Sequence, residues 1–267
     1  MNTIKYTLIT GASSGLGKEL AVQCARMGRN VILIALPNSN IFSLAKDISL
    51  EYRVKAQPFE FDMTNSREMD WHLDFIIDNF EIDFLINNAG VGGSSSILET
   101  TGASIDKIIQ LNIRSTAMLT HRVLPSLVRN EQSYIMNISS MAAFTPIAYK
   151  TVYPASKAFI SSFSLGLKEE LQDKGVSVSV VYPGPMMTNS NTTRRIISQG
   201  MKGKMGLLSA TDIAAIALKK TMQRQSVIIP GWSNRVSRWA MAMLPMKLKL
   251  KIVSGEVKKE IRFSPAI

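Results

Sequence analysis

Several of the features that quickly narrow a protein's function are scarce in this sequence. It holds one cysteine, Cys24, and two histidines in 267 residues, so no intrachain disulfide forms and no Cys/His set has the spacing of a metal site. Acidic residues are scarce at one end only: residues 1 to 193 carry 16 basic and 17 acidic side chains, whereas residues 194 to 267 carry 15 and 3. The net charge of +11 is therefore local. A uniformly basic chain would suggest nucleic acid; this asymmetry argues against it and leaves a local anion, a membrane surface or a solvated rim. No stretch reaches the ~18 uncharged apolar residues that cross a bilayer. Met1 to Thr10 run straight into a strand-like segment with no room for a signal peptide. A cytoplasmic location is expected, with membrane association through the basic end as an option.

What is abundant is core. With 46% hydrophobic and 19% charged residues the composition is that of a packed globule, which excludes disordered, collagen-like and low-complexity classes. Brief β-branched runs at 7–10, 31–35, 56–61, 84–86, 134–138, 177–182 and 227–229 read as strands closed by Gly, Pro, Asn, Asp or Ser. Helix-period stretches lie between them, at about 15–28, 40–52, 66–79, 104–129, 152–173 and 210–224. The last opens with Ser209 and Asp212, a polar cap with a carboxylate three residues on. Strict alternation of strands and helices, with the strands apolar on both faces, predicts an α/β fold with a seven-stranded parallel sheet covered on both sides. Residues 1–231 form one expected domain, and 232–267 a helical, basic, amphipathic C-terminal extension. Residues 184–208, with Met186, Met187, Met201 and Met205, are too long for an ordinary crossover and read either as a lid or binding segment over a lipophilic substrate or as plain packing.

The first strand ends in Thr10-Gly11-Ala12-Ser13-Ser14-Gly15-Leu16-Gly17, directly before a helix. Glycines there permit a tight turn and let a pyrophosphate approach the positive helix end; the bland reading is a plain strand-to-helix turn. Asp62, Asn87-Asn88-Ala89-Gly90 and Ser139-Ser140 follow the third, fourth and fifth strands, at the sheet edge where such folds bind ligands. Asp62 alternatively caps a helix, and the Asn-Gly set alternatively makes a turn. Tyr153 and Lys157 stand one helical turn apart on one face. An ammonium beside a phenol favours the phenolate, drawing its pKa from about 10 toward neutrality. Ser140 is placed to polarise the same substrate oxygen.

These motifs, with Tyr182-Pro183-Gly184 after the sixth strand, resemble the short-chain dehydrogenase/reductase family, single-domain oxidoreductase branch, in order and spacing over about residues 4 to 230. The resemblance implies a Rossmann-type doubly wound sheet and an NAD(P)-dependent oxidoreductase acting on a small-molecule carbonyl or alcohol. It implies Tyr153 as acid/base, Ser140 as its partner, Lys157 as the residue that tunes Tyr153 and holds the nicotinamide ribose, and Asn112 as holder of a water in a proton relay. It places Gly11, Ser13, Gly15, Leu16 and Gly17 around the pyrophosphate and adenosine ribose, and Asp62 at the adenine. Asn88, Ala89 and Gly90 fall on the adenosine side, Thr188 near the carboxamide and phosphates, and Pro183 and Gly184 complete the cofactor set. A homodimer or homotetramer built on helices 104–129 and 152–173 is also implied. The position that separates the two cofactors holds Leu36, neither an acid nor an arginine; with Ser13, Ser14, Asn38 and Lys18 nearby, NADP(H) is favoured over NAD(H). The competing reading is a catalytically silent dinucleotide-binding regulator or scaffold.

His72 and His121 read as surface or packing residues. In the tail, Val236, Trp239, Ala240, Met243 and Leu244 make a helical stripe ended or kinked by Pro245. Residues 246–252 alternate apolar and lysine, a pattern that fits no single helix face. The stripe is expected to be buried, over the substrate mouth, on a subunit, or at an anionic membrane surface as a peripheral contact.

Overall fold

A computed structural model describes residues 4–185 and 207–263. All seven expected strands are present: β1 (Lys5–Thr10), β2 (Asn30–Ala35), β3 (Ala56–Glu60), β4 (Glu81–Asn87), β5 (Ser133–Ile138), β6 (Val176–Val181) and β7 (Val227–Ile228). They form one parallel sheet in the order β3-β2-β1-β4-β5-β6-β7. The chain reverses its direction of growth between β1 and β4, and a crevice opens there at the carboxyl ends of the strands.

Between the strands run α1 (Gly15–Arg26), α2 (Ile41–Tyr52), α3 (Ser66–Asn79), α4 (Gly102–Ile108), α5 (Thr116–Arg129), α6 (Val152–Leu171) and α7 (Ala210–Met222). Successive strand residues point to opposite faces. Ile9, Val31 and Leu33 pack with α1, α2 and α7, while Leu8, Ile32 and Ile34 pack with α3, α5 and α6. Both faces are covered, which is why apolar residues point to both sides of the strands. Cys24 lies in the first layer, and burial pushes its thiol up to about 12, so it is unreactive. Ser209 caps α7 as expected, its Oγ accepting from the Asp212 amide at 3.0 Å and donating to Asp212 Oδ2 at 2.7 Å.

One expectation is corrected. The stretch 104–129 is not one α-helix: α4 and α5 flank a π-helical segment, Ile109–Ser115. The Ser115 hydroxyl contacts both the Gln110 carbonyl at 2.8 Å and the Met63 carbonyl at 2.9 Å, and this tertiary bond to the 61–64 loop goes with the wider turn.

The tail is helical, as expected, and forms α8 (Trp232–Met243) and α9 (Met246–Phe263). The alternating residues 246–252 lie in α9, although their pattern fits no single helix face. Sheet-edge strand β7 has two residues and offers them no ladder, whereas Leu, Met and Lys are good helix formers. Leu250, Val253 and Val257 turn toward the body of the protein, and Leu248 and Ile252 turn outward. Asn234 is the one buried residue of α8; its Nδ2 donates to the Pro230 carbonyl at 2.8 Å. Ser254 accepts from the Ala148 amide at 3.0 Å and ties α9 down. Among the described residues nothing covers the stripe of α8, and Val236, Trp239 and Met243 are all exposed. Among the described residues no helix is long and apolar enough to cross a membrane.

Candidate active site

The crevice begins at the glycine turn. Gly11 and Gly15 have positive φ angles, 64° and 53°, which side-chain-bearing residues avoid. A β-carbon on Gly17 would fall on the Gly11 carbonyl oxygen, so α1 can start so close to β1 only with glycine there. Asn88 braces the turn from β4, its Nδ2 donating to the carbonyls of Thr10 (2.9 Å) and Gly11 (3.2 Å). Thr10 Oγ1 in turn accepts from the amides of Asn88 and Ala89, both at 3.0 Å. Ser14 starts α1 in an extended conformation without capping it through its side chain.

From this turn a cleft of about 1090 Å³ runs along the carboxyl edge of the sheet. Its wall includes Gly11, Ser13, Ser14, Gly15, Leu16, Gly17, Leu36, Asp62, Asn88, Ala89, Gly90, Ser140, Tyr153, Lys157, Pro183 and Gly184. Of the residues singled out in the sequence, Asn112 lies behind this wall, and Thr188 lies outside the described residues, as do Met186, Met187, Met201 and Met205.

Beyond β3, Asp62 is a turn residue, its Oδ1 accepting from the Thr64 amide and hydroxyl, each at 2.8 Å. The cap of α3 is Asn65, whose Oδ1 accepts from Arg67 and Glu68. Leu36 is 53% exposed on the cleft wall. Beyond it the loop is drawn to Glu60, whose carboxylate accepts from the amides of Asn38 (3.1 Å) and Ser39 (3.2 Å). Asn38 and Lys18, expected to reach a phosphate, do not line the cleft.

At its other end the cleft is built from the end of β5 and the start of α6. Ser140 follows β5; its Oγ accepts from the Ala142 amide at 3.1 Å, which leaves the hydroxyl proton available. Tyr153 and Lys157 rise from the first turns of α6, with the Lys157 Nζ 5.9 Å from the Tyr153 ring centroid. Lys157 is buried; its Nζ donates to the Ile138 carbonyl at 2.9 Å, and burial lowers its pKa to about 8. Ser139, beside it, donates to the Lys157 carbonyl at 2.8 Å, so the end of β5 and the start of α6 are locked together.

Asn112 is on the π-helical segment and 1% exposed. Its carboxamide clamps Val91, donating to the carbonyl at 2.9 Å and accepting from the amide at 2.8 Å, and it donates to Ser156 Oγ at 2.9 Å. A β-carbon on Gly90 would stand 3.1 Å from Asn112 Oδ1 and 3.2 Å from Lys157 Nζ. The glycine thus sits where these two side chains converge. Asn87, by contrast, is structural, donating to Thr120 Oγ1 at 2.9 Å and Asn137 Oδ1 at 2.7 Å.

Sequence reasoning missed Gly92 and Ser156, and which residues of the tail reach the cleft: Ser237, Arg238 and Met241 of α8 and Lys249 and Val253 of α9 line it. Gly92 stands two positions beyond the Asn-Ala-Gly turn, where a signal existed. The tail showed periodicity but not which side would face the cleft. The Arg238 guanidinium lies 4.5 Å from the Phe144 ring centroid. His72 stacks on Phe61 with ring centroids 4.4 Å apart, and burial lowers its pKa. It is a packing residue, while His121 is exposed.

Residues 5–197 match the sequence profile of the short chain dehydrogenase family. The chain is 31% identical over 238 residues to a very-long-chain 3-oxoacyl-CoA reductase of Neurospora crassa, covering 88% of this chain and 71% of that protein. It is 36% identical over 189 residues to an L-xylulose reductase of Caenorhabditis elegans, covering 70% and 74%. A solved short-chain dehydrogenase from Sphingobium yanoikuyae, in complex with NADPH, superposes with a TM-score of 0.76 at 27% identity, covering 90% of this chain and 96% of that one.

Proposed function

The chain belongs to the short-chain dehydrogenase/reductase family and is an NAD(P)-dependent oxidoreductase of carbonyl and alcohol groups; we propose that its substrate is lipophilic and that Tyr153 is its acid and base. The observation that carries this reading is the convergence of Ser140, Tyr153 and Lys157 at one end of a cleft whose other end is the Gly11–Gly17 turn. The turn fits a dinucleotide: it has glycines at its close approaches, the start of α1, and serine hydroxyls on the wall.

When bound, the nicotinamide dinucleotide supplies or accepts the hydride. Gly11 to Gly17 would hold its diphosphate, Leu36 and Asp62 its adenosine end, Lys157 its nicotinamide ribose and Thr188 its carboxamide. In reduction Tyr153 Oη gives its proton to the substrate oxygen, and in oxidation it takes that proton back. Ser140 donates a hydrogen bond to the same oxygen, stabilising the charge that develops there. The Lys157 ammonium favours the phenolate left behind. Asn112 positions the site by holding Val91 and Ser156. Tyr153→Phe tests the assignment: it should retain cofactor binding and lose about 10²- to 10⁴-fold in turnover, and an unchanged rate on a confirmed substrate would remove Tyr153 from the mechanism.

Lipophilic substrates are favoured by the cleft wall beyond Ser140, where Met141, Ala142, Phe144, Ile147, Met241 and Val253 contribute apolar surface. The Neurospora relative is named for a long acyl substrate. Assaying the purified protein with ketones and aldehydes of increasing chain length tests this, and turnover confined to small sugars would reject it. NADP(H) is preferred over NAD(H) in this reading, because no carboxylate stands at position 36 to repel a 2′-phosphate. The working form is a homodimer or homotetramer, supported by exposed Met118 and Val128 on α5 and Phe159 and Leu165 on α6; light scattering checks it. A cytoplasmic location completes the proposal and suits a lone, reduced thiol.

A further inference from the structure

The outer face of α8 carries Trp232, Val236, Trp239 and Met243, with 73%, 54%, 70% and 71% of their surface exposed. At 100° per residue these four side chains form one narrow stripe. Asn234, Ser237, Met241 and Arg238 lie on the opposite side, toward the body and the cleft. The helix is therefore already packed on one side, and the stripe is its free side. Met246, Leu248 and Ile252 of α9 add further exposed apolar surface, at 52%, 44% and 45%. A helix face turned to water is ordinarily polar, and a contiguous apolar patch of this size marks a contact surface.

Charge identifies what the surface fits. Residues 232 to 258 hold six basic side chains, Arg235, Arg238, Lys247, Lys249, Lys251 and Lys258, against one acid, Glu256. Arg235, Lys247 and Lys251 are exposed and have no salt-bridge partner among the described residues. A second copy docked by a twofold axis would present the same cations to these cations. A bilayer with anionic head groups meets both halves of the pattern: acyl chains take the tryptophans and aliphatic side chains, and head groups take the lysines and arginines.

We propose that the outer face of α8 and α9 is a peripheral docking surface for an anionic lipid bilayer. Because the inner side of the same helices lines the cleft, docking sets the cleft mouth at the membrane, where a lipophilic substrate is concentrated. The docking itself does not depend on the reaction assigned above.

The test uses the full-length protein with vesicles of phosphatidylcholine alone and of phosphatidylcholine mixed with phosphatidylserine. Co-sedimentation should require phosphatidylserine and weaken with added salt. Lys247→Glu and Lys251→Glu should each lower affinity about fivefold or more. Trp232→Ser combined with Trp239→Ser should abolish sedimentation while cofactor affinity and thermal midpoint stay at wild-type values, which separates lost docking from lost folding. Full-length protein that stays in the supernatant with phosphatidylserine vesicles at low salt overturns the proposal, as does a double tryptophan variant that sediments like wild type. If that variant instead loses self-association in light scattering and keeps vesicle binding, the face belongs to a second copy and the lipid assignment is wrong.

Discussion

Gly92 lies against the face of Tyr153: a β-carbon at that position would stand 2.8 Å from Cδ2 of the ring and 3.0 Å from Cε2. Tyr153, the proposed acid/base, is thus positioned from the loop after β4 as well as from its own helix. Gly92→Ala must move the ring or the 91–93 segment, and displacements of about 1 Å at a reacting group cost about 10²-fold. Steady-state kinetics should show kcat/KM falling by that order, with cofactor affinity in a fluorescence titration unchanged.

Lys157 makes stability and activity respond to pH in opposite senses. Burial lowers its pKa from 10.5 to about 8, so between these values the unfolded chain binds more protons than the folded one. Stability contributed by this group therefore rises with pH across that window, and the full penalty for burying the ammonium is present below it. Lys157→Met should stabilise the apoprotein at pH 7 by on the order of 1–3 kcal/mol, a gain that fades toward pH 10.5, while turnover is lost. Urea melts of both proteins at neutral and alkaline pH give the comparison. In the wild type, reductive kcat/KM should decline as pH rises past about 8, where the ammonium beside Tyr153 is lost.

Leu36 occupies the cleft wall with no charge of its own. If the adenosine ribose lies beside residue 36 as proposed, Leu36→Asp puts a carboxylate against its 2′-position, so NADPH affinity should fall at least about tenfold, the effect of ~1.4 kcal/mol of repulsion. NADH affinity should hold or improve. Titration of wild type and variant with both cofactors checks this, and a wild type that prefers NADH would reverse the cofactor proposal.

Gly184 faces Asn234 across the junction between the sheet and α8: a β-carbon there would lie 2.7 Å from both polar atoms of the carboxamide. Gly184→Ala should push α8 away from the cleft, costing about 1–3 kcal/mol through overpacking and raising KM. Thermal melts together with substrate titration separate the two effects.

The elements that could be read along the chain are those whose physics is local. Seven apolar runs, the Gly11–Gly17 turn, the Ser209 cap and the four-residue spacing of Tyr153 and Lys157 depend on neighbours a few positions away, and all of them stand in the structure. The π-helical segment that carries Asn112 was hidden because the hydroxyl of Ser115 bonds to Met63, 52 positions earlier. No periodicity within 104–129 records that partner. Gly92 under Tyr153 and Gly184 against Asn234 were hidden for the same reason, since close approach between distant segments leaves no repeat in either one. The tail shows the division most clearly: its amphipathic pattern determined a helix, but only packing on the cleft decided which side of α8 would be buried and which would carry two exposed tryptophans. Hydrophobic periodicity specifies that a face exists, and the tertiary contacts available to the chain select what that face meets.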